Sequence, residues 1–161
     1  MKSSASTVIW VLVGLIAVVA FILYPVFQQA KAASLLDRAM SNGSAVSRVI
    51  KQYASDYDYR LPPLNDPKIV ANCLAPLFAN PEYRVEFEKF TRSCTWNDEV
   101  SRFDITIIRP PEKVWLFHSN IPIWQSSYLV GFVDGHVKTV GAIQLKTIKS
   151  ESSKEIIRIK E

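Results

Sequence analysis

Three observations predict an α+β fold: a long N-terminal helix, its first half in a membrane, packed on an antiparallel β-sheet. An unbroken apolar run, Val8 to Phe27, passes directly into a helical pattern with one apolar stripe. Prolines at 62, 63, 67, 76 and 81 then end that periodicity. From Arg84 onward, short β-rich runs follow, two of them joined by Asp134-Gly135.

The first run has 20 residues, and no charged side chain lies between Lys2 and Lys31. At 1.5 Å per residue such a helix rises about 30 Å, the thickness of a bilayer's hydrocarbon core. Ala30-Lys31-Ala32 has the small-x-small form of a signal-peptidase site, so a cleaved signal is the competing reading. The apolar stretch exceeds the core of about 7–15 residues usual for a signal, which favours a retained anchor. Pro25 removes one backbone donor inside the span and predicts a kink.

The helical pattern continues through Leu35, Leu36, Ala39, Met40, Val46, Val49, Ile50, Tyr53 and Tyr57, near one face of a 3.6-residue helix. Arg38, Asn42, Arg48, Lys51 and Asp56 fill the other positions. Gly43 predicts a bend, and Leu61-Pro62-Pro63 a stop. One helix is therefore expected from Thr7 to Tyr59. Three segments follow: an anchor over 1–27, its amphipathic continuation over 28–61, and an α+β domain over 62–161.

A short helix is expected over Lys68–Phe78 in the Pro-rich stretch. Strands are expected over Arg84–Phe90, Arg102–Ile108, Val114–His118, Tyr128–Val133 and His136–Val140. A two-residue Asp134-Gly135 loop would require φ > 0 at both positions. Ile143–Glu161 reads as a final element of undecided type.

Hydrophobic residues make up 48% of the chain and aromatic residues 11%, so the part beyond the anchor can build a core and is not a disordered tail. The net charge is +4 with no run of five like charges, which argues against nucleic acid as a partner. Two cysteines, Cys73 and Cys94, allow either a disulfide worth about 3 kcal/mol in an oxidising compartment or two buried thiols. They form no CxxC pair, so a zinc or thioredoxin-like site is not expected.

His136, with Asp134 or His118, could ligate a metal or exchange protons, but no HxH, HExxH or carboxylate cluster accompanies it. A turn-capping role for Asp134 and a packing role for His136 are the simpler readings. Asn97-Asp98-Glu99 with Asp104 is the densest acidic group. Trp96, Trp115 and Trp124 could line a ligand groove or build the core. No GxSxG-type nucleophile context is present, and no cofactor or enzymatic activity is expected.

Three segments carry a family resemblance. Tyr24-Pro25-Val26-Phe27-Gln28-Gln29-Ala30-Lys31 resembles the end of the hydrophobic helix in bacterial type IV pilin-like proteins. Tyr53-Ala54-Ser55-Asp56-Tyr57-Asp58 through Pro62 resembles the helix end of pseudopilin-like proteins with a prepilin-type N-terminal domain. Val130-Gly131-Phe132-Val133-Asp134-Gly135-His136-Val137 is similar to that family's C-terminal F-x-D-G-H-V motif, with His118 in the place of an upstream histidine.

The resemblance implies a subunit of a type II secretion or type IV pilus-like apparatus that contacts itself or other pilin-like subunits through the helix. It also implies a cytoplasmic N-terminus and an extracytoplasmic domain. Basic residues alone, Lys31, Arg38, Arg48 and Lys51 after the span, favour the reverse orientation. The chain departs from the family at the cleavage site: Ser3-Ser4 replaces the glycine, and Val8 stands at the glutamate position. In the family that glutamate is thought to pair with a neighbour's amino terminus, so Val8 removes both a buried charge and an assembly contact. Gly14, Ala17 and Ala20 would let another helix approach closely in lipid.

Overall fold

The computed structural model describes residues 3–78 and 81–160, with the side chains of 9–78 and 83–159. Contacts divide the chain into two compact units, residues 1–35 and 36–161. The secondary structure comprises helices α1 (Ser3–Asp56), α2 (Pro67–Leu74), α3 (Pro81–Arg92) and α4 (Ala142–Lys160). It also contains strands β1 (Cys94–Trp96), β2 (Trp115–Ser119), β3 (Ser127–Phe132) and β4 (Val137–Gly141). The strands form one antiparallel sheet in the order β1-β2-β3-β4, so the expected α+β layout of a long helix packed on an antiparallel sheet is present.

The helix α1 is continuous through Pro25 and Gly43. Gly43 marks a close approach to the sheet. A Cβ built there would lie 2.8 Å from Leu129 Cδ2 and 3.0 Å from Val137 Cγ1. The apolar stripe of α1 sets Val46 and Ile50 into a core shared with Leu116, Phe117 and Leu129. The helix ends three residues before the predicted Tyr59. Asp58 and Tyr59 turn left-handed, at φ 53° and 61°. Leu61 N–H then donates to Phe103 O at 2.9 Å, which clasps the exit of α1 to the distant 102–105 segment.

The expected short helix appears as α2, started by Asp66, whose carboxylate accepts from Lys68 N–H at 2.8 Å with Pro67 in the first turn. A 3-10 turn at Ala75–Leu77 follows. Two predicted strands are absent. Arg84–Phe90 lies within α3, where Phe87 and Thr91, one turn apart, are buried while Val85 is 57% exposed. Arg102–Ile108 forms turns: Asp104 accepts from both the amide and the hydroxyl of Thr106, and only a single bridge, Arg60 to Asp104, resembles a strand. The final stretch is helical, and α4 buries Leu145, Ser152 and Ile156 along one face.

The β2 strand carries a bulge: Trp115 faces Phe132 and Phe117 faces Gly131, leaving Leu116 as the extra residue. Leu116 and Phe117 therefore both join the core beneath α1, while Trp115 points to the opposite face. There Trp115, Val130, Phe132 and Val140 pack with Leu145 and Ile148 of α4. All five β2 residues are buried as a result. Buried Asn97 ties the end of β1 to β2, its side-chain amide donating to Trp115 O at 2.8 Å. Ser119 Oγ accepts from Leu129 N–H at 3.0 Å beside the ladder.

Gly131 makes room for the fully buried Phe117 ring, since a Cβ at 131 would sit 2.3 Å from Phe117 Cε1. Gly131→Ala should therefore destabilise the domain by about 1–3 kcal/mol through overpacking. Thermal and urea unfolding of the full chain in detergent measure this, and an unchanged midpoint would contradict the packing.

Candidate functional site

The apolar run lies on α1 with its surface uncovered. Trp10 is 72% exposed, Phe21 82% and Phe27 69%, and every other large apolar residue from Ile9 to Val26 is also exposed. The helix is long and apolar enough to cross a membrane. Gly14, Ala17 and Ala20 recur every third residue on exposed helix surface, and a Cβ at Gly14 would meet nothing within 4 Å. The side chain of Val8 lies outside the described residues.

The Asp134-Gly135-His136 motif closes the β3–β4 hairpin, though not as a two-residue loop. Gly135 N–H donates to Phe132 O at 2.9 Å, and Phe132 N–H donates to His136 O at 3.0 Å. Gly135 is left-handed at φ 88°, and neither Val133 nor Asp134 is. This is a three-residue loop in which a left-handed glycine follows the turn and forms a bulge. Asp134 Oδ1 accepts from the His136 amide at 3.0 Å and lies 2.6 Å from His136 Nδ1. The imidazole stacks on Phe132 at 4.2 Å and 7°, and Lys138 Nζ lies 4.8 Å from the same ring's centroid. Lys51 of α1 covers the glycine, for a Cβ at 135 would meet its Cε at 2.5 Å.

His118 serves elsewhere. Its Nδ1 lies 2.9 Å from Ser119 O, and its ring is 5.3 Å from Trp115. Its Nε2 is buried without a protein partner. Burial holds the imidazole below its usual range, and the nearby positive Lys149 adds to that. The structure does not bring His118 to His136 through a shared bond, and the described residues hold no group of three His, Cys, Asp or Glu that could bind a metal.

The three tryptophans do not converge on one groove, and two of them build the core. Trp96 packs on Phe117 beneath α1, Trp115 lies on the opposite face with α4, and Trp124 sits in the loop bridging to Ser127. The acidic group is likewise dispersed: Asn97 is buried in the sheet, Glu99 accepts from Ser153, and Asp104 is held by Thr106. Cys73 and Cys94 are free thiols rather than a bridge. Burial pushes the Cys94 thiol up to about 12.

The sequence reading missed a cleft at the end of α1, lined by Tyr53, Tyr57, Asp58, Arg60 and Arg102. The one-turn spacing of the two tyrosines was its only local signal.

Two outcomes follow. A native thiol titration at neutral pH should modify Cys73 and spare Cys94, since only a thiolate reacts readily; equal labelling of both in the folded chain would refute this. Burial makes His118 harder to protonate in the fold than in the unfolded chain, where the imidazole takes up its proton near pH 6.5. Unfolding then binds a proton as pH falls below about 6.5, and stability declines on that side. Thermal midpoints measured from about pH 7.5 to 5 should show this decline, and His118→Phe should flatten it.

No family model, curated protein or solved structure matches this chain.

Proposed function

We propose that this chain is a pilin-like, pseudopilin-like subunit of a bacterial envelope assembly, non-enzymatic and anchored in the inner membrane by α1. Its N-terminus lies in the cytoplasm and its globular unit outside. The observation that carries this reading is the uncovered apolar surface from Ile9 to Phe27. A continuous exposed apolar surface of that length needs lipid or a neighbouring helix to cover it. The uncharged, small-residue positions Gly14, Ala17 and Ala20 suit close helix approach within lipid. The two helix-end segments and the hairpin motif that resemble pseudopilins supply the rest of the argument. A type II secretion or type IV pilus-like apparatus is the setting they imply.

The histidines support a structural role, since His136 is spent on the turn and Phe132, and His118 on the sheet beside Trp115. The expected partners are the bilayer and other pilin-like subunits, or copies of this chain, through the N-terminal helix. Val8 in place of an assembly glutamate fits a peripheral or minor position rather than the shaft of a filament.

Cysteine cross-linking in native membranes tests the reading. Gly14→Cys and Ala17→Cys should trap a neighbouring helix, whereas a cysteine at exposed Ile143 of the globular unit should not. Val8→Glu should raise the trapped fraction. Monomer at every position, with no response to Val8→Glu, would remove the assembly reading and leave a lone anchored domain.

A further inference from the structure

The cleft at the exit of α1 is used by neither the anchor nor the hairpin. Tyr53 and Tyr57 stack with ring centroids 4.3 Å apart and planes 17° apart. Tyr57 remains 56% exposed, so its outer ring face is bare. With Asp58, Arg60 and Arg102, these rings line an open cleft of about 320 Å³.

The backbone carrying these groups is fixed. Asp58, Tyr59 and Arg102 are left-handed, at φ 53°, 61° and 62°. Leu61 N–H donates to Phe103 O at 2.9 Å and Ile105 N–H to Tyr59 O at 2.8 Å, so the two segments are clasped from both sides. Left-handed non-glycine residues are costly, and such strain clusters where side chains must be aimed. Two carbonyls near the end of α1 are occupied: Tyr57 N–H donates to Tyr53 O at 3.0 Å and Tyr59 N–H to Ala54 O at 2.7 Å. The side chains lining the cleft carry its charged groups. Among the described residues neither the Arg60 nor the Arg102 guanidinium makes a side-chain hydrogen bond or ion pair; the Asp104 carboxylate, which feels the charge of Arg60, is hydrogen-bonded by Thr106.

We propose that this cleft binds an acidic sugar, a pyranose bearing a carboxylate. The apolar C–H face of a pyranose packs on an exposed aromatic ring, which Tyr57 offers. Guanidinium planes meet a carboxylate in two parallel hydrogen bonds, which Arg60 and Arg102 have free. Asp58 accepts from ring hydroxyls. Two guanidiniums against one carboxylate favour an acidic over a neutral sugar. The volume suits one or two sugar rings, and the open shape implies weak, millimolar binding per site. This proposal stands whether or not the chain joins a pilin-like assembly.

The test uses the full chain in detergent micelles, titrated with sodium D-galacturonate and a short oligogalacturonide and read by saturation-transfer-difference NMR. D-Galactose and inorganic phosphate are the comparators. Galacturonate should show saturable transfer, with D-galactose about tenfold weaker. Arg102→Gly removes the guanidinium while keeping a residue at ease with φ > 0, and should weaken binding about tenfold. Arg60→Gln and Tyr57→Ala, both at exposed positions, should each do the same without moving the unfolding midpoint. No transfer from galacturonate or its oligomer overturns the proposal. So does equal binding of galactose, a response to phosphate alone, or undiminished binding by Tyr57→Ala and Arg60→Gln.

Discussion

Neither face of the four-stranded sheet can be left to water, and the arrangement of the globular unit follows from that constraint. The bulge in β2 sends Leu116 and Phe117 to one side and Trp115 to the other. Along β3, Leu129 and Gly131 share one face and Val130 and Phe132 the other. Two covering elements are then required. The stripe of α1 supplies one through Val46 and Ile50, with Gly43 permitting close approach. The other is α4, through Leu145 and Ile148. Burying a large aliphatic or aromatic side chain is worth about 1.5–3 kcal/mol, so losing either cover would remove several such contributions together. The exposed ion pairs, such as Arg38 with Glu86 at 2.7 Å, contribute little beside this.

The parts legible in the sequence were those whose pattern repeats in one dimension. The apolar run shows in composition alone, and the long helix in its stripe. The three strands β2, β3 and β4 show as β-rich runs with Asp134-Gly135 between the last two. Errors arose where a short pattern fits two periods. Val85 and Phe87 alternate as a strand would, yet Phe87, Phe90 and Thr91 sit at helical spacing, and that spacing meets the core. Phe103, Ile105 and Ile107 also alternate, but the Asp104 side chain competes with the sheet for the local backbone and makes a turn. The three-residue β1 is too short to carry a pattern. The stripe of α4 was hidden because the fully buried Ser152 interrupts its apolar positions.

The motif residues were easier to find than to interpret. Asp134, Gly135 and His136 form a unit, but each is engaged locally: a cap, a left-handed turn beneath Lys51, and a ring stacked on Phe132. The tyrosine cleft was not legible because it needs Arg102, which reaches Tyr53 and Tyr57 only through the backbone clasp at Leu61 and Ile105. The helix end was expected three residues too late, and its left-handed geometry carries no local signal. Asp58 and Tyr59 adopt a conformation that glycine or asparagine would ordinarily signal, and tertiary hydrogen bonds hold them there.

The placement of α4 has a consequence for how the chain is made. This helix begins at Ala142, directly after β4 ends at Gly141, and it alone supplies the helical cover for Trp115, Val130, Phe132 and Val140 among the described residues. A chain that emerges from the ribosome or a translocation pore from its amino terminus completes the sheet before this cover exists. For that interval the sheet presents a bare apolar face beside its unpaired edges, the kind of surface that sticks to other chains. Biogenesis then favours either rapid delivery of α4 or a holding factor that shields the face until the helix arrives.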